Sequence, residues 1–241
     1  EKYSEKVLIN AKKLKVISRL GVGIDNIDIK YAKKKNINVY KTKTTPAIAV
    51  AELSLGLMLD LLRNISLHNT DLKSGIWNKR MGSLLTGKTL GIIGFGSIGK
   101  HLAKITSSFG LNYLINDIKI NNKYKRLKNF EFCNLEKLFN NSDIISVHTN
   151  LTDKSKDLIN YSLLSKMKPT AFLINTSRGE VINEKDLIKI LNKNMIAGVA
   201  LDVYDKEPYE GKLVEYDNCI TTPHIASYAQ EIRLKMELEA V

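Results

Sequence analysis

The sequence predicts an α/β fold in which parallel sheets are covered by helices. Apolar segments of strand length alternate with amphipathic segments of helix length along the 241 residues, which is typical of parallel sheets with crossover helices. The strand segments are nearly continuous in Val, Ile and Leu, as expected when both faces of a strand are buried. A glycine-rich turn joins one of these strands directly to the helix that follows it.

The alternation assigns the elements in order along the chain. The predicted strands are residues 15–19, 38–40, 89–93, 111–115, 144–147, 171–174, 196–201 and 219–221. The predicted helices are residues 29–35, 50–65, 97–108, 135–139, 162–167 and 184–191. Asn183 is the N-cap candidate of the last helix, with Asp186 three residues later.

The long helix 50–65 is apolar nearly all round, so it must be buried on several sides, either between two domains or at a subunit contact. The loop 73–86 that follows it contains Gly75 and Gly82, and we place a domain boundary there. Only two predicted strands precede the helix, which is too few for a stable parallel sheet. We therefore expect further strands before Glu1, and the helix after Ser227 also stops abruptly at Val241.

Composition narrows the classes of partner. The net charge of +12 suggests nucleic-acid binding, but the lysines are scattered and no basic stripe carries aromatics that would stack on bases. The longest apolar run, 47–62, is short for a bilayer and contains Glu52 and Asp60. Residues 1–10 do not resemble a secretion signal. We expect a cytoplasmic protein with no nucleic-acid or membrane partner, no metal site, and reduced thiols at Cys133 and Cys219.

The strongest local signal is the sequence G-x-G-x-x-G formed by Gly94, Gly96 and Gly99, which follows strand 89–93 and opens a helix. Such glycines permit a tight turn and let the backbone approach a pyrophosphate, which the N–H groups of the helix N-terminus bind. Asp117 stands at the end of the next strand, where a carboxylate accepts both ribose hydroxyls and repels a 2′-phosphate. The motif predicts a Rossmann-like domain that binds NAD rather than NADP.

Polar residues gather where the predicted strands end. In an open parallel sheet, ligands bind beyond the carboxyl ends of the strands, so these residues should face one crevice. They are Asp117, His148 with Thr149, Thr176 with Ser177 and Arg178, and Asp202.

Three residues near this edge suit the chemistry of a hydroxy acid. Arg178 presents a planar guanidinium that can hold a carboxylate with two hydrogen bonds. His224 ionises in the range needed for an acid or base, and Glu207 could hydrogen-bond its imidazole and favour the protonated form. Spacing alone leaves open that His224 is a structural loop histidine.

The other histidines compete for the role of base. His68 lies on a polar helix face and His101 on the helix after the glycine turn, and both are expected at the surface. His148 ends a strand beside the expected cofactor, where it could pack, form a hydrogen bond, or contact the cofactor.

At these residues the sequence resembles the D-isomer-specific 2-hydroxy-acid dehydrogenases, particularly the phosphoglycerate dehydrogenase-like branch. The resemblance covers nearly the whole chain, because several motifs occur in the same order. They are residues 19–28, 49–53, 94–99, 175–179, 200–203 with 207–208, and 222–224. Lys43 and Asn150 depart from it, since the family often has proline at these positions.

The resemblance implies a catalytic triad of Arg178, Glu207 and His224. The arginine would orient the substrate carboxylate and carbonyl, the histidine would be the acid and base, and the glutamate would support the histidine. The substrate would also be held by the backbone of Gly21, Val22 and Gly23. The cofactor would be contacted by Asp202 at the nicotinamide amide and by a further set of residues. That set is Thr42, Gly94, Gly96, Ser97, Ile98, Gly99, Asp117, His148, Thr149, Thr176, His224 and Ala226.

The predicted architecture is two Rossmann-like domains with a cleft between them. An NAD-binding domain of residues 75–218 would be inserted into a truncated, flavodoxin-like substrate domain of residues 1–74 and 219–241. The resemblance implies a homodimer through helix 50–65.

The predicted activity is NAD-dependent hydride transfer at C2 of a D-2-hydroxy acid or 2-oxo acid, with 3-phosphoglycerate, hydroxypyruvate, glyoxylate and larger 2-oxo acids all open as substrates. One rival is a formate-dehydrogenase-like enzyme. Glu207 argues against it, because the resemblance to that branch implies a glutamine at this position. Another is a non-enzymatic, corepressor-like regulator that senses NAD.

Overall fold

Two sheets, both parallel, form the framework of the chain, as the sequence predicts. The computed structural model describes residues 3–21, 23–43, 46–119 and 122–241. The strands are β1 (Val16–Arg19), β2 (Asn38–Lys41), β3 (Thr89–Ile93), β4 (Asn112–Asn116), β5 (Phe130–Phe132), β6 (Ile144–Val147), β7 (Phe172–Asn175), β8 (Gly198–Leu201) and β9 (Cys219–Thr221).

Helices connect most of these strands. They are α1 (Glu5–Leu8), α2 (Ile29–Lys34), α3 (Ala47–Arg63), α4 (Ile65–Lys73), α5 (Ser97–Ile105), α6 (Asn122–Lys125), α7 (Leu135–Asn141), α8 (Tyr161–Leu164), α9 (Glu184–Asn192) and α10 (Gln230–Ala240). The predicted cap of α9 is confirmed, because the Asn183 side chain accepts a hydrogen bond from the backbone N–H of Asp186. The predicted helix 97–108 is shorter, since α5 ends at Ile105 and a 3₁₀ turn follows.

The chain divides into two compact units, one of Glu1–Ala49 with Ser227–Val241 and one of Val50–Ala226. The larger unit contains a seven-stranded sheet in the order β5-β4-β3-β6-β7-β8-β9. From β3 the chain adds β4 and β5 on one side of β3, and it then crosses over to add β6, β7, β8 and β9 on the other side. This reversal is the switch point at which parallel sheets bind ligands, beyond the carboxyl ends of the strands.

The unit boundaries differ from the predicted domain boundaries of 74/75 and 218/219. Strand β9 pairs with β8 through Cys219, Ile220 and Thr221, so residues 219–221 belong to the larger sheet. Helix α3 packs on that sheet as well, because Met58 and Leu62 lie in one buried cluster with Leu90 and other strand residues. Periodicity shows that a nearly all-apolar helix is buried but not against which sheet, so the sequence alone does not place α3.

Strand β5 was not predicted from the sequence. It has only three residues, it pairs with β4 alone, and none of its residues is fully buried. Edge strands of this kind lack the continuous apolar run that marks a central strand.

The smaller unit is built on the parallel pair of β1 and β2. Its buried core contains Leu8, Tyr31, Ala32 and Ile37. In the described part of the chain, no helix is both long enough and apolar enough to cross a membrane. Cys133 and Cys219 are both free thiols, as predicted.

Candidate active site

The glycine turn lies between β3 and α5, and its three glycines differ in how closely other protein atoms surround them. A Cβ at Gly94, whose φ is +91°, would lie 2.5 Å from the carbonyl oxygen of His148. A Cβ at Gly99 would lie 2.5 Å from the carbonyl oxygen of Gly94. A Cβ at Gly96 would meet no protein atom within 4 Å. Gly94 and Gly99 therefore allow the turn to pack, while Gly96 leaves open space at the N-terminus of α5.

Asp117 is fixed beside this turn by its own hydrogen bonds. Its Oδ2 accepts from the backbone N–H of Phe95 at 2.6 Å, and its Oδ1 accepts from the backbone N–H of Lys119 at 2.7 Å. A carboxylate oxygen has more than one lone pair, so both oxygens can still accept ribose hydroxyls. The carboxylate stands where the sequence predicts it, at the end of the strand next to the glycine turn.

His148 follows β6 and has a packing role at this turn. Its Nε2 is 2.9 Å from Oγ of buried Ser146. Its backbone carbonyl packs on Gly94, so closely that a side chain at Gly94 would clash with it. Burial lowers the pKa of His148 to about 3, so the imidazole is neutral near pH 7. This neutral, buried imidazole is a poor candidate for the acid or base, and its contact with the cofactor, like that of Thr149, stays a prediction.

The segment after β7 presents Arg178, and a residue that the sequence reading did not single out organises it. Asn175 accepts hydrogen bonds at its Oδ1 from the backbone N–H and the Oγ of Ser177, at 3.0 and 2.8 Å. Its Nδ2 donates to the carbonyl oxygen of Arg178 at 2.8 Å. Thr176 is also buried, with Oγ1 3.0 Å from Oγ of Ser54 on α3. A polar residue at the end of an otherwise apolar strand was the signal that could have identified Asn175.

Asp202 follows β8 and holds the loop that carries His224. Its side chain is fully buried. Oδ1 accepts from Oγ1 of Thr222 at 2.6 Å and from the N–H of Ile225 at 2.8 Å, and Oδ2 accepts from the N–H of Ala226 at 2.9 Å. These three donors surround His224 in the chain, so the carboxylate fixes the course of the backbone on both sides of it.

Glu207 and His224 form the central pair of the site. Nδ1 of His224 lies 2.8 Å from Oε2 of Glu207, and a carboxylate can only accept, so Nδ1 carries the proton. The other carboxylate oxygen, Oε1, accepts from the backbone N–H of Tyr204 at 3.2 Å. With Nδ1 held by Glu207, Nε2 is the ring nitrogen of His224 that could exchange a proton with a substrate.

The electrostatics of the pair also include Arg178. The hydrogen bond that His224 donates to Glu207, opposed by burial, raises the pKa of His224 above its usual value, and the charge of Arg178 works against this rise. Burial opposes ionisation of Glu207, but His224, the Tyr204 amide and Arg178 together lower its pKa. The charge of the Arg178 guanidinium therefore influences both members of the pair, and the catalytic roles of the three groups stay predictions.

The remaining histidines are engaged elsewhere. Nδ1 of His68 lies 3.2 Å from the carbonyl oxygen of Asn78, and Nδ1 of His101 lies 2.9 Å from that of Ser97. Both contacts are local and partly exposed, in agreement with the expected surface positions.

Four of the residues predicted to contact a ligand, Gly21, Val22, Gly23 and Thr42, belong to the first segment of the smaller unit. Gly21 has a φ of +131°, and its N–H donates to Oγ1 of Thr42 at 3.2 Å. Gly23 is among the described residues, whereas Val22 lies outside them. The roles of these residues toward substrate and cofactor stay predictions.

Residues 55–226 match the profile of the D-isomer specific 2-hydroxyacid dehydrogenase family, NAD binding domain. The chain belongs to this family. Residues 55–226 include the glycine turn and Asp117. All three residues of the predicted triad, Arg178, Glu207 and His224, also fall within the matched range. The sequence-based identification of the family is thereby confirmed.

Individual relatives of this dehydrogenase chain differ in substrate. It is 37% identical to a hydroxypyruvate reductase of Thermotoga maritima, over 100% of this chain and 79% of the relative. It is 36% identical to a D-3-phosphoglycerate dehydrogenase of Synechocystis, over 99% of this chain but only 44% of that longer protein. A crystal structure of a glyoxylate reductase from Paecilomyes thermophila superposes with a TM-score of 0.85 at 32% identity, covering 97% of this chain and 72% of the other.

The residues of the dehydrogenase chain fit NAD. Gly96 is the N-cap of α5, and the space beside it is open. The N–H groups at a helix N-terminus favour binding of a pyrophosphate there. Asp117, fixed beside the turn, fits an adenosine ribose without a 2′-phosphate.

The different surroundings of the glycines predict different effects of an added methyl group. Gly96→Ala should weaken NADH binding about tenfold or more, a loss of ~1.4 kcal/mol, because its Cβ enters the space for the pyrophosphate. The same substitution should leave the melting temperature unchanged. Gly94→Ala should instead lower the free energy of unfolding by about 3 kcal/mol, because it combines a positive φ with a backbone clash.

NADH binding is measured by fluorescence titration and stability by urea unfolding. Gly56→Ala on α3 is the matched control, because its Cβ also meets no protein atom within 4 Å but lies far along the chain from the turn. Equal NADH affinity in Gly96→Ala and Gly56→Ala would show that the pyrophosphate does not bind at Gly96.

Proposed function

We propose that this chain carries the catalytic site of an NAD-dependent oxidoreductase that transfers hydride between the nicotinamide and C2 of a D-2-hydroxy acid. The observation that carries the proposal is the 2.8 Å pair of His224 and Glu207, with Arg178 acting on both, beyond the carboxyl ends of a sheet that has a glycine turn at its switch point.

Each group has a separate task in this reaction. Arg178 binds the substrate carboxylate through two parallel hydrogen bonds and so orients C2. His224 takes the hydroxyl proton at Nε2 during oxidation and returns it to the carbonyl oxygen during reduction. Glu207 holds Nδ1–H and stabilises the positive charge that His224 gains. The chemistry that NAD supplies when bound is acceptance or donation of the hydride.

We propose short 2-oxo acids as the substrate class. Glyoxylate, hydroxypyruvate and the oxidised form of 3-phosphoglycerate share the carboxylate and adjacent carbonyl that Arg178 and His224 would recognise. The relatives include reductases of the first two and a dehydrogenase of D-3-phosphoglycerate, the reduced form of the third. A cytoplasmic location is proposed as well, because both cysteines are free thiols.

The proposed reaction predicts NADH oxidation with at least one member of a panel of 2-oxo acids. His224→Ala should lower kcat at least ~100-fold, because it removes the group proposed to accept the hydroxyl proton, while NADH affinity is retained. His68→Ala is the control, since it removes an imidazole outside the site.

Two outcomes would contradict the proposal. Undiminished turnover in His224→Ala would remove the histidine from the mechanism. NADH binding without turnover across the panel, using the polypeptide at its full natural length, would instead favour a regulator that senses NAD.

The raised pKa of His224 sets the pH dependence of the reaction. Reduction needs protonated His224, so its rate is full below the pKa of His224 and is lost as the pH rises through it. Glu207→Gln removes the main cause of the raised pKa, so the falling limb of the reduction profile should move to lower pH. The rising limb for oxidation should move in the same direction, because oxidation needs the neutral imidazole.

These limbs are measured as kcat/KM against pH in both directions. Glu210→Gln, a carboxylate three residues further along the same loop, serves as the control. A falling limb that stays in place in Glu207→Gln would mean that another group sets it.

We also propose a homodimer. Helix α3 buries its larger apolar side chains, such as Met58 and Leu62, within its own unit, but the segment that begins where α3 ends exposes apolar side chains. Trp77 is 79% exposed and Met81 is 95% exposed. We name this the 65–84 apolar surface, and it consists of Ile65, Leu72, Ile76, Trp77, Met81 and Leu84. Such clusters are typical of subunit contacts.

The dimer predicts a mass near twice 27.1 kDa by light scattering. The double variant Trp77→Ser, Met81→Ser should be monomeric with unchanged melting behaviour at low concentration, because neither side chain supports the core. In the dimer, the emission of Trp77, the only tryptophan, should be blue-shifted. Val214→Ser, also at an exposed apolar site, is the control, and a monomeric wild-type protein at micromolar concentration would refute the proposal.

A further inference from the structure

Tyr204 lies in the loop between Asp202 and Glu207 and contacts the segment of His224 as well. Its hydroxyl is 3.0 Å from the carbonyl oxygen of Thr222 and 3.0 Å from that of Leu201. Its backbone N–H donates to Oε1 of Glu207 at 3.2 Å. The residue is 8% exposed, so a substrate or cofactor has little access to it.

The same residue also meets the segment of Arg178. A Cβ on Gly179, the residue after the arginine, would lie 1.9 Å from the carbonyl carbon of Tyr204 and 2.4 Å from the nitrogen of Asp205. The peptide group after Tyr204 therefore packs directly on the backbone of Gly179. The segments that bear Arg178, Glu207 and His224 all meet at this tyrosine.

The turn at His224 needs such support. His224 has a φ of 54°, a conformation that a side chain other than glycine adopts only at a cost. Its N–H donates to the carbonyl oxygen of Thr222 at 3.0 Å, and this is the carbonyl that the Tyr204 hydroxyl also binds. The hydroxyl thus anchors the strained turn to the loop that carries Glu207.

We propose that Tyr204 is a positioning residue of the active site, whose hydroxyl fixes the turn of His224 in register with the carboxylate of Glu207. The effect of Tyr204 on turnover rests on the proposed function, whereas its effect on the contact between His224 and Glu207 does not. Tyr204 would hold the Nδ1–Oε2 distance short and so keep Nε2 of His224 aimed at the substrate. Ring stacking on Tyr209, with centroids 4.2 Å apart, holds the phenol in place.

The charges around His224 give the proposal a specific readout. Glu207 and Asp202 raise the pKa of His224, and burial and Arg178 lower it, with the hydrogen bond to Glu207 the largest influence. A looser contact with Glu207 therefore lowers the pKa of His224. The pKa of Tyr204 itself is raised by burial, so its hydroxyl keeps its proton and remains a donor.

The test compares Tyr204→Phe with Tyr209→Phe. Each substitution removes one hydroxyl from the same stacked pair, but the hydroxyl of Tyr209 donates to Glu184 and accepts from the N–H of Leu213, away from the turn of His224. Tyr204→Phe should fold, because both carbonyls keep a backbone donor, from Thr222 to Leu201 and from His224 to Thr222. Melting temperatures of both variants check this.

We expect Tyr204→Phe to lower kcat about tenfold, because small misplacements of a catalytic group slow the reaction. The falling limb of its reduction profile should move to lower pH, while its NADH affinity equals that of the wild type. Tyr209→Phe should leave all three unchanged. A kcat and pH profile that are the same in Tyr204→Phe and Tyr209→Phe would overturn the proposal.

A measurement without turnover separates this proposal from the proposed function. The chain has four histidines, so their ring resonances can be followed by NMR against pH, with His224 assigned from the spectrum of His224→Gln. A lower pKa of His224 in Tyr204→Phe but not in Tyr209→Phe supports the positioning role, even if the wild type reduces no substrate. An unchanged His224 titration in Tyr204→Phe refutes it, even if the wild type is active.

Discussion

The buried carboxylate of Asp202 is the constraint on which the site depends. A buried carboxylate is costly unless hydrogen bonds replace the water that it loses, and three donors from the loop after β9 satisfy it. The same bonds tie the end of β8 to the segment on both sides of His224. The histidine can therefore adopt its strained backbone and still reach Glu207, since the structure around it is fixed by interactions that are expensive to break.

The sheet explains why these groups lie near a nucleotide-binding turn. Strands β3, β6, β7 and β8 are parallel neighbours, so the residues that follow them emerge at one edge. The glycine turn, His148 and Asp202 directly follow buried strands, and Arg178 comes three residues after the end of β7. Hydrogen bonding across the sheet sets their spacing more rigidly than loops could, and this rigidity suits a hydride transfer that requires closely aligned reactants.

Two histidines of the larger unit show how their surroundings decide their chemistry. Burial lowers the pKa of His148 to about 3, so it packs beneath the glycine turn as a neutral ring. His224 is partly exposed and faces a carboxylate, and its pKa rises. The proton can be carried by the second histidine near neutral pH but not by the first, although both lie near the expected cofactor.

The sequence by itself determined the features that depend on neighbouring residues. The strand–turn–helix around Gly94, the cap at Asn183 and the central strands could all be read from patterns of a few residues, because turns, caps and apolar runs are set by local backbone and side-chain chemistry. The candidate triad of Arg178, Glu207 and His224 came instead from the resemblance to a family. Only the tertiary structure decided that β9 joins β8, that α3 packs on the larger sheet, that β5 completes an edge, and that Asn175, Asp202 and Tyr204 hold the catalytic segments. These outcomes depend on contacts between residues far apart in the chain, and no local pattern records which distant carbonyl or amide a buried side chain will meet.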